Sequence, residues 1–155
     1  SVFNKLYGIE TISLRYFNVF GPKQDPNSQY SAVIPKFIKA IYENRQPIIY
    51  GDGTQSRDFT FVKNVVEANL AAIKTNCNTP IIMNCATHGQ ITLNQLVEKI
   101  NIIMGKEIKP IYDIPRPGDI KDSFAEISLI EKELNWKPNY SFDTGLKITI
   151  EKLIK

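Results

Sequence analysis

The 155-residue sequence predicts an α/β fold in which strands and helices alternate along the chain. Short runs rich in β-branched and aromatic residues are bounded by turn residues, as is typical of strands. Between them lie longer segments whose apolar residues recur at helical spacing. No internal repeat, low-complexity tract or long linker divides the sequence, so we expect one unit over residues 1–155.

The first half of the chain predicts two strands, each followed by a helix. Residues 11–17 (TISLRYF) predict a buried strand, and residues 31–44 predict a helix with Pro35 in its first turn, where the missing N–H costs little. The apolar residues that recur at helical spacing in this segment are Val33, Ile34, Phe37, Ile38, Ile41 and Tyr42. Residues 47–50 predict a short strand that stops at the turn Gly51-Asp52-Gly53. Residues 57–61 then lead into a helix whose apolar face comprises Val62, Val65, Val66, Leu70 and Ile73.

The second half continues the alternation. Residues 80–85 (PIIMNC) predict a strand, and Thr92 with Gln95 predicts a capping box at the start of the next helix. That helix carries Leu93, Leu96, Val97, Ile100 and Met104. Residues 108–114 predict extended chain, and Ser128 with Glu131 predicts the capped start of a short helix that ends near Trp136. The last helix carries Phe142, Leu146, Ile150 and Leu153.

Composition and charge exclude several classes of function. The net charge of +3, with basic and acidic residues interspersed, argues against a nucleic-acid partner. No apolar run approaches the length of a membrane span, and no signal peptide opens the chain. Cys77 and Cys85 have neither metal nor redox spacing and indicate a reducing compartment, which we take to be the cytoplasm. The single histidine, His88, is expected in a surface loop, and we expect no metal site.

Three segments carry polar residues that a scaffold alone does not explain. Asn18 ends the first strand, where its amide could donate to a phosphate or sugar oxygen, or merely close its own turn. Arg57 follows the glycine turn, where its guanidinium suits a pyrophosphate, or forms a surface pair with Asp58. Arg116 and Asp119 flank a Pro-Gly turn and suit a phosphate and ribose hydroxyls respectively, or form a salt-bridged turn.

The order of these motifs carries a family resemblance. The motifs are LRYFNVFGP (14–22), AVIPKF (32–37), IIYGDGTQSRDFTFV (48–62) and RPGDIKDS (116–123). Together they resemble the carboxy-terminal, substrate-binding half of extended short-chain dehydrogenase/reductases, in the NAD-dependent nucleotide-sugar epimerase/dehydratase family. The similarity is greatest to UDP-glucose and UDP-N-acetylglucosamine 4-epimerases. It implies the last strands of a Rossmann-type sheet plus a small mixed α/β substrate-binding domain.

The resemblance implies a binding site for a UDP-sugar, starting with its diphosphate. Asn18 matches the asparagine that touches the pyrophosphate–sugar link, and Val33 matches a residue that lines the nucleotide sugar through its backbone. Arg57 and Arg116 match the two arginines that grip the pyrophosphate.

The same resemblance implies positions for the remaining parts of the ligands. Ile48 and Tyr50 match the edge that holds the uracil, and Asp119 matches the carboxylate on the uridine ribose. Ser123 stands near the sugar ring, where a bulky tyrosine in relatives leaves no room for a 2-N-acetyl group. Phe17 matches the residue whose backbone lies beside the nicotinamide of NAD.

Two signatures of the family are absent from the sequence. There is no G-x-x-G-x-x-G fingerprint for NAD and no catalytic Tyr-x-x-x-Lys, since residue 11, four after Tyr7, is threonine. We therefore expect no catalytic residue and no NAD binding in this chain alone. The expected activity is NAD-dependent 4-epimerisation by a longer parent protein that adds an amino-terminal Rossmann half and forms a homodimer. A nucleotide-sugar dehydratase or decarboxylase, or a non-catalytic nucleotide-sugar binding fragment, remains an alternative.

Overall fold

The computed structural model describes residues 2–25, 33–77 and 79–154. The helices are α1 (Val2–Tyr7), α2 (Val33–Tyr42), α3 (Val62–Lys74), α4 (Leu93–Met104), α5 (Ser128–Leu134) and α6 (Phe142–Leu153). The strands are β1 (Ile12–Tyr16), β2 (Val19–Phe20), β3 (Ile48–Tyr50), β4 (Ser56–Arg57), β5 (Thr60–Phe61), β6 (Ile81–Cys85), β7 (Ile91–Thr92), β8 (Ile111–Asp113) and β9 (Asp122–Ser123). This alternation confirms the predicted α/β class. Among the described helices, none has the length and apolar character that a membrane crossing requires.

Parallel strand pairs bring distant parts of the chain together. β1 pairs with β6, with Ile12 opposite Ile81, and β2 pairs with β5. β3 pairs with β8 in the same sense. β4 lies between β7 and β9, antiparallel to the first and parallel to the second, which places Arg57 opposite Ser123. Because parallel strands need long connections, each pairing joins segments far apart in sequence.

The larger apolar cluster, which we call the inner core, lies between α2, α4 and α6. Its fully buried members include Phe20, Ile34, Phe61, Leu96 and Leu146. The rings of Phe20 and Phe61 have centroids 5.6 Å apart in a tilted arrangement typical of aromatic pairs. α6 approaches this cluster at Gly145, where an added Cβ would lie 2.7 Å from the Phe61 ring. A side chain at this position would therefore overpack the core.

A second cluster fills the space between the β1–β6 pair, α3 and α5. It contains Val65, Met83, Ile130 and Trp136, all buried. This side of the molecule, which we call the outer side, also exposes apolar groups. Tyr16, Val66, Leu70, Ile73 and Ile82 are each at least half exposed.

Two predictions of burial are wrong on this outer side. The predicted strand forms as β1, but Ser13, Arg15 and Tyr16 are exposed rather than buried. Of the residues predicted to form the apolar face of α3, only Val65 is buried. The helix instead turns Asn64 and Ala68 inward, because the Asn64 side chain donates to the Tyr140 carbonyl and accepts from the Tyr140 N–H, at 2.8 and 2.9 Å.

The sequence predicts side-chain caps at two helix N-termini, and one of the two predictions is confirmed. The Thr92–Gln95 capping box is confirmed in both directions. The cap predicted at Ser128 is wrong, because Ser128 is the first helical residue and its N–H donates to the Glu126 carboxylate instead. That hydrogen bond lowers the pKa of Glu126. In the helix predicted over 31–44, Tyr42 is exposed rather than buried, and residues 31 and 32 lie outside the described residues.

Candidate functional site

A cleft of about 420 Å³ opens between α2, β3 and the turn over residues 116–119. Most of the sequence-predicted substrate residues line it, namely Asn18, Val33, Ile48, Tyr50, Arg57, Arg116 and Asp119. These residues come from segments that are well separated in the sequence. The volume lies within the range of small-molecule sites.

Asn18 sits between β1 and β2 in a left-handed backbone conformation, with φ at 35°. Its Nδ2 donates to the Asp58 carbonyl at 3.2 Å and approaches the Ser123 hydroxyl at 3.5 Å. These contacts cross to distant segments, so Asn18 does not merely close its own turn. The strand tip is thereby tied to β9 and to the segment that carries Arg57.

Arg57 is held by three groups of the protein. Its Nη1 donates to the carbonyls of Ser56 and Lys121, at 2.8 and 3.3 Å. Its Nη2 donates to the Asp119 carboxylate at 2.5 Å. The guanidinium has five N–H donors, so some remain for a ligand. The alternative of a surface Arg57–Asp58 pair is wrong, because Arg57 pairs with Asp119 and Asp58 is buried.

Asp58 is a buried residue that sequence reasoning missed. Its side chain is fully buried, and Oδ1 accepts from the Thr87 N–H at 3.0 Å and from the Thr87 hydroxyl at 2.7 Å. Its Oδ2 has no hydrogen-bond partner among the described residues. The carboxylate thus anchors the loop after β6 beneath Asn18. The one sequence signal that could have identified Asp58 as a site residue is its position next to Arg57.

The turn over residues 116–119 presents a cation to the cleft. The Asp119 N–H donates to the Arg116 carbonyl at 3.2 Å, and Gly118 has a φ of 77° that favours glycine. The Arg116 guanidinium lies over the Tyr50 ring, 3.9 Å from its centroid. Arg116 and Tyr50 therefore form a cation–π pair at the cleft wall.

Two of the predicted site residues do not line the cleft. Ser123 is absent from the lining, although its hydroxyl lies 3.5 Å from the Asn18 amide. Phe17 packs against the second apolar cluster, and its N–H donates to the Cys85 carbonyl at 3.3 Å.

The structure adds lining residues that the sequence reasoning did not assign to a site. They are Lys36, Phe37, Ala40, Arg45, Gln46, Pro47, Gln55, Phe59 and Leu93. Gln55 is buried, and its amide donates to the Tyr50 carbonyl at 2.6 Å, which fixes the end of β3. On α2, the spacing of residues 33, 36, 37 and 40 is the helical period that could have identified this face.

The described residues offer no cradle for the diphosphate of a dinucleotide. The one glycine-rich turn, Gly51–Gly53, is packed rather than open, since a Cβ at Gly53 would lie 2.1 Å from the Asn94 side chain. It also joins two strands rather than a strand and a helix. Phe17 is the one residue of this chain that the resemblance relates to NAD.

Cys85 and His88, whose residue types often carry proton or nucleophile chemistry, do not line the cleft. In the described part of the chain, no group of histidine, cysteine or carboxylate side chains could hold a metal ion. Burial, and next the charge of Asp58, raise the pKa of the nearby Cys85 thiol to about 11, so it stays protonated at neutral pH. His88 is exposed in its loop as predicted, with Nδ1 2.9 Å from the Ala125 carbonyl.

Residues 2–86 match the family described as the NAD dependent epimerase/dehydratase family. The chain is 31% identical to a UDP-N-acetyl-alpha-D-glucosaminuronate decarboxylase of Bacillus cytotoxicus, over 94% of this chain and 47% of the relative. The chain spans about half the length of the curated relatives it matches.

Two solved structures have nearly the same fold over this chain. A UDP-N-acetylglucosamine 4-epimerase of Methanobrevibacter ruminantium, solved with UDP-N-acetylmuramic acid, has a TM-score of 0.93 and 44% identity, covering 99% of this chain and 49% of its own. A UDP-glucose 4-epimerase of Thermotoga maritima, solved with UDP-glucose, has a TM-score of 0.93 and 35% identity, covering 99% and 48%. The fold of this chain is therefore that of about half of each enzyme.

Proposed function

Since the chain belongs to the NAD dependent epimerase/dehydratase family, we propose that the protein is a UDP-sugar 4-epimerase whose sugar-nucleotide site lies in these 155 residues. One observation carries this proposal: seven residues singled out from separate sequence motifs line a single cleft. Both solved relatives described above are UDP-sugar 4-epimerases bound to a UDP-sugar.

The proposed ligand lies along the cleft with its uracil at Ile48 and Tyr50. Arg116 lies over the Tyr50 ring and would contact the diphosphate next to the base. Asp119, fixed by Arg57, would accept from the ribose hydroxyls. Asn18, at the strand tip, would meet the pyrophosphate–sugar link. The chain's own residues therefore bind and orient the substrate.

Hydride transfer and proton removal need groups that the described residues do not supply. The Tyr-x-x-x-Lys pair is absent from the sequence, and no dinucleotide cradle is present among the described residues. We propose that an amino-terminal Rossmann half carries NAD and the catalytic pair, with Phe17 at the junction. The complete enzyme would be a cytoplasmic homodimer.

The test is the reaction of the full-length protein. Incubated with NAD and UDP-glucose or UDP-N-acetylglucosamine, it should form the matching C4 epimer, resolved by anion-exchange chromatography and proton NMR. A mixture that reaches the same ratio from either epimer would support an epimerase. A 4-keto-6-deoxy sugar as the product would identify a dehydratase instead and contradict the proposal.

A decarboxylase is the second candidate, because one relative with 31% identity is a UDP-uronic acid decarboxylase. Such an enzyme would release CO₂ from a UDP-uronic acid. Release of CO₂, with no epimer formed from any UDP-hexose, would favour this candidate.

Substrate choice is proposed to depend on Ser123. Its hydroxyl lies 3.5 Å from the amide of Asn18, the residue proposed to meet the sugar link. A serine at this position is smaller than the tyrosine that the resemblance associates with exclusion of a 2-N-acetyl group, so we expect the acetylated sugars to be accepted. We expect Ser123→Tyr to reduce turnover of the acetylated UDP-sugars selectively, since overpacking a defined site costs about 1–3 kcal/mol. Ser123→Ala, which keeps the space, is the control. Equal turnover of UDP-N-acetylglucosamine by wild type and Ser123→Tyr would contradict this role.

A further inference from the structure

The cleft carries more positive charge than the two predicted arginines account for. Four cationic side chains line it, against the single carboxylate of Asp119; they are Lys36, Arg45, Arg57 and Arg116. Arg45 already pairs with Glu43, and Arg57 with Asp119. Within residues 2–25, 33–77 and 79–154, neither Lys36 nor Arg116 forms an ion pair. These two are the uncompensated cations of the cleft.

Lys36 lies on the face of α2 that forms the cleft wall. The lining residues of this helix, Val33, Lys36, Phe37 and Ala40, have the three- and four-residue spacing of one helical face. Phe37 and Ala40 are buried, whereas Lys36 is exposed. A lysine at an apolar surface usually lays its aliphatic stem along that surface and keeps its ammonium in water.

The position of Lys36 along the helix separates it from the base end of the cleft. In sequence, the proposed uracil edge, Ile48 and Tyr50, follows the end of α2 at Tyr42. With a rise of about 1.5 Å per residue, Lys36 stands about 9 Å along the helix axis from Tyr42. A lysine there is placed for the middle of an extended nucleotide rather than for its base.

We propose that Lys36 is a substrate-binding residue that binds the diphosphate together with Arg116. This inference rests on the proposed function, since it takes a UDP-sugar as the ligand. The diphosphate of a sugar nucleotide is a dianion, and the two cations without a carboxylate partner match its charge. Arg57, whose guanidinium is held by Asp119 and two carbonyls, would then serve mainly to position Asp119.

The experiment measures binding of UDP and of uridine to the full-length protein by calorimetry. In Lys36→Gln, the affinity for UDP should fall about fivefold, the size expected for an ion pair that stays partly solvated, while uridine affinity is unchanged. Lys39→Gln is the matched control, because Lys39 lies on the same helix but does not line the cleft. Lys36→Arg, which keeps the charge, should retain most of the UDP affinity.

Three results would overturn the inference. The first is that Lys36→Gln binds UDP as tightly as wild type. The second is that it loses affinity for uridine and for UDP equally. The third is that its loss of UDP affinity is no greater than that of Lys39→Gln. If wild type binds UDP and forms the C4 epimer while any of these holds, the inference fails and the proposed function stands. If wild type does not bind UDP, both fail. Circular dichroism of every variant would show that the fold is intact.

Discussion

The inner core and the outer side of this molecule handle their apolar residues differently. In the inner core, Ile34, Ile41, Leu96 and Leu146 have no exposed surface. On the outer side, α3 buries Val65 and Ala68 but leaves Val66, Leu70 and Ile73 between 51% and 80% exposed. Both sides contain helices with apolar stripes, but only the inner core has α2, α4 and α6 packed around it from several directions.

The difference explains where the candidate site lies. The cleft is walled by α2, β3 and Leu93 of α4, all of which pack on the inner core. Preorganised binding needs side chains held by a well-packed support, and the inner core provides one. The outer side carries a second groove of about 380 Å³ between β1 and α3, with few charged groups in its lining. Of these two grooves, the first is the one that combines walls packed on the inner core with several charged side chains.

The largest effect is expected in the inner core. Leu96→Ala should lower the free energy of unfolding by about 2–5 kcal/mol, because the side chain is fully buried and its loss leaves a cavity. Urea unfolding followed by circular dichroism measures the change. A loss below 1 kcal/mol would show that this cluster is not the more tightly packed of the two.

The second effect concerns ligand binding at the edge of the inner core. Arg116→Ala and Arg57→Ala should each weaken UDP binding to the full-length protein by about 1.5–3 kcal/mol, or roughly tenfold to a hundredfold. The first loses a charge facing the ligand, and the second releases Asp119, the proposed acceptor for the ribose hydroxyls, from its salt bridge. Calorimetry gives both affinities, and Arg15→Ala, on the exposed face of β1, is the control. Unchanged UDP affinity in a folded variant would remove that arginine from the site.

Asp58 joins the two sides and gives the third prediction. Asp58→Ala leaves the Thr87 N–H without its acceptor, which should cost about 1–3 kcal/mol of stability. Asp58→Asn can keep an oxygen in place for Thr87 and should cost less. Denaturant unfolding compares the two variants. Equal losses in both would mean that the charge, rather than the acceptor position, is what the site requires.

The smallest effect is expected on the outer side. Leu70→Ala and Ile73→Ala should change the free energy of unfolding of the 155-residue chain by no more than about 0.5 kcal/mol, because both side chains are at least half exposed. Leu96→Ala measured under the same conditions allows a direct comparison of the stability losses in the inner core and on the outer side. A loss above 2 kcal/mol would show that α3 packs differently in solution.

The sequence predicted the elements well because local patterns determine them. The capping box of Thr92 and Gln95, the turn at Gly51–Gly53 and the helices over the inner core all follow from spacing and turn chemistry. The motifs also identified seven residues that the fold brings to one cleft.

What the sequence did not reveal depends on contacts between distant segments. The rotation of α3 follows from Asn64 bonding to Tyr140, a partner 76 residues away that periodicity alone does not indicate. Asp58 is adjacent to Arg57 in sequence but points the opposite way, because Thr87 is its partner. The pairing of Arg57 with Asp119, likewise, requires β4 and β9 to be neighbours.

The separation of these contacts along the chain sets the order in which the site can form. Arg57 meets Asp119 across 62 residues, and Asn18 meets Ser123 across 105. Such contacts require large loops to close, so we expect them to form late, after the local helices and turns. The cleft is then complete only when β9 docks. A nucleotide that binds the finished cleft alone would slow unfolding and leave the rate of folding unchanged.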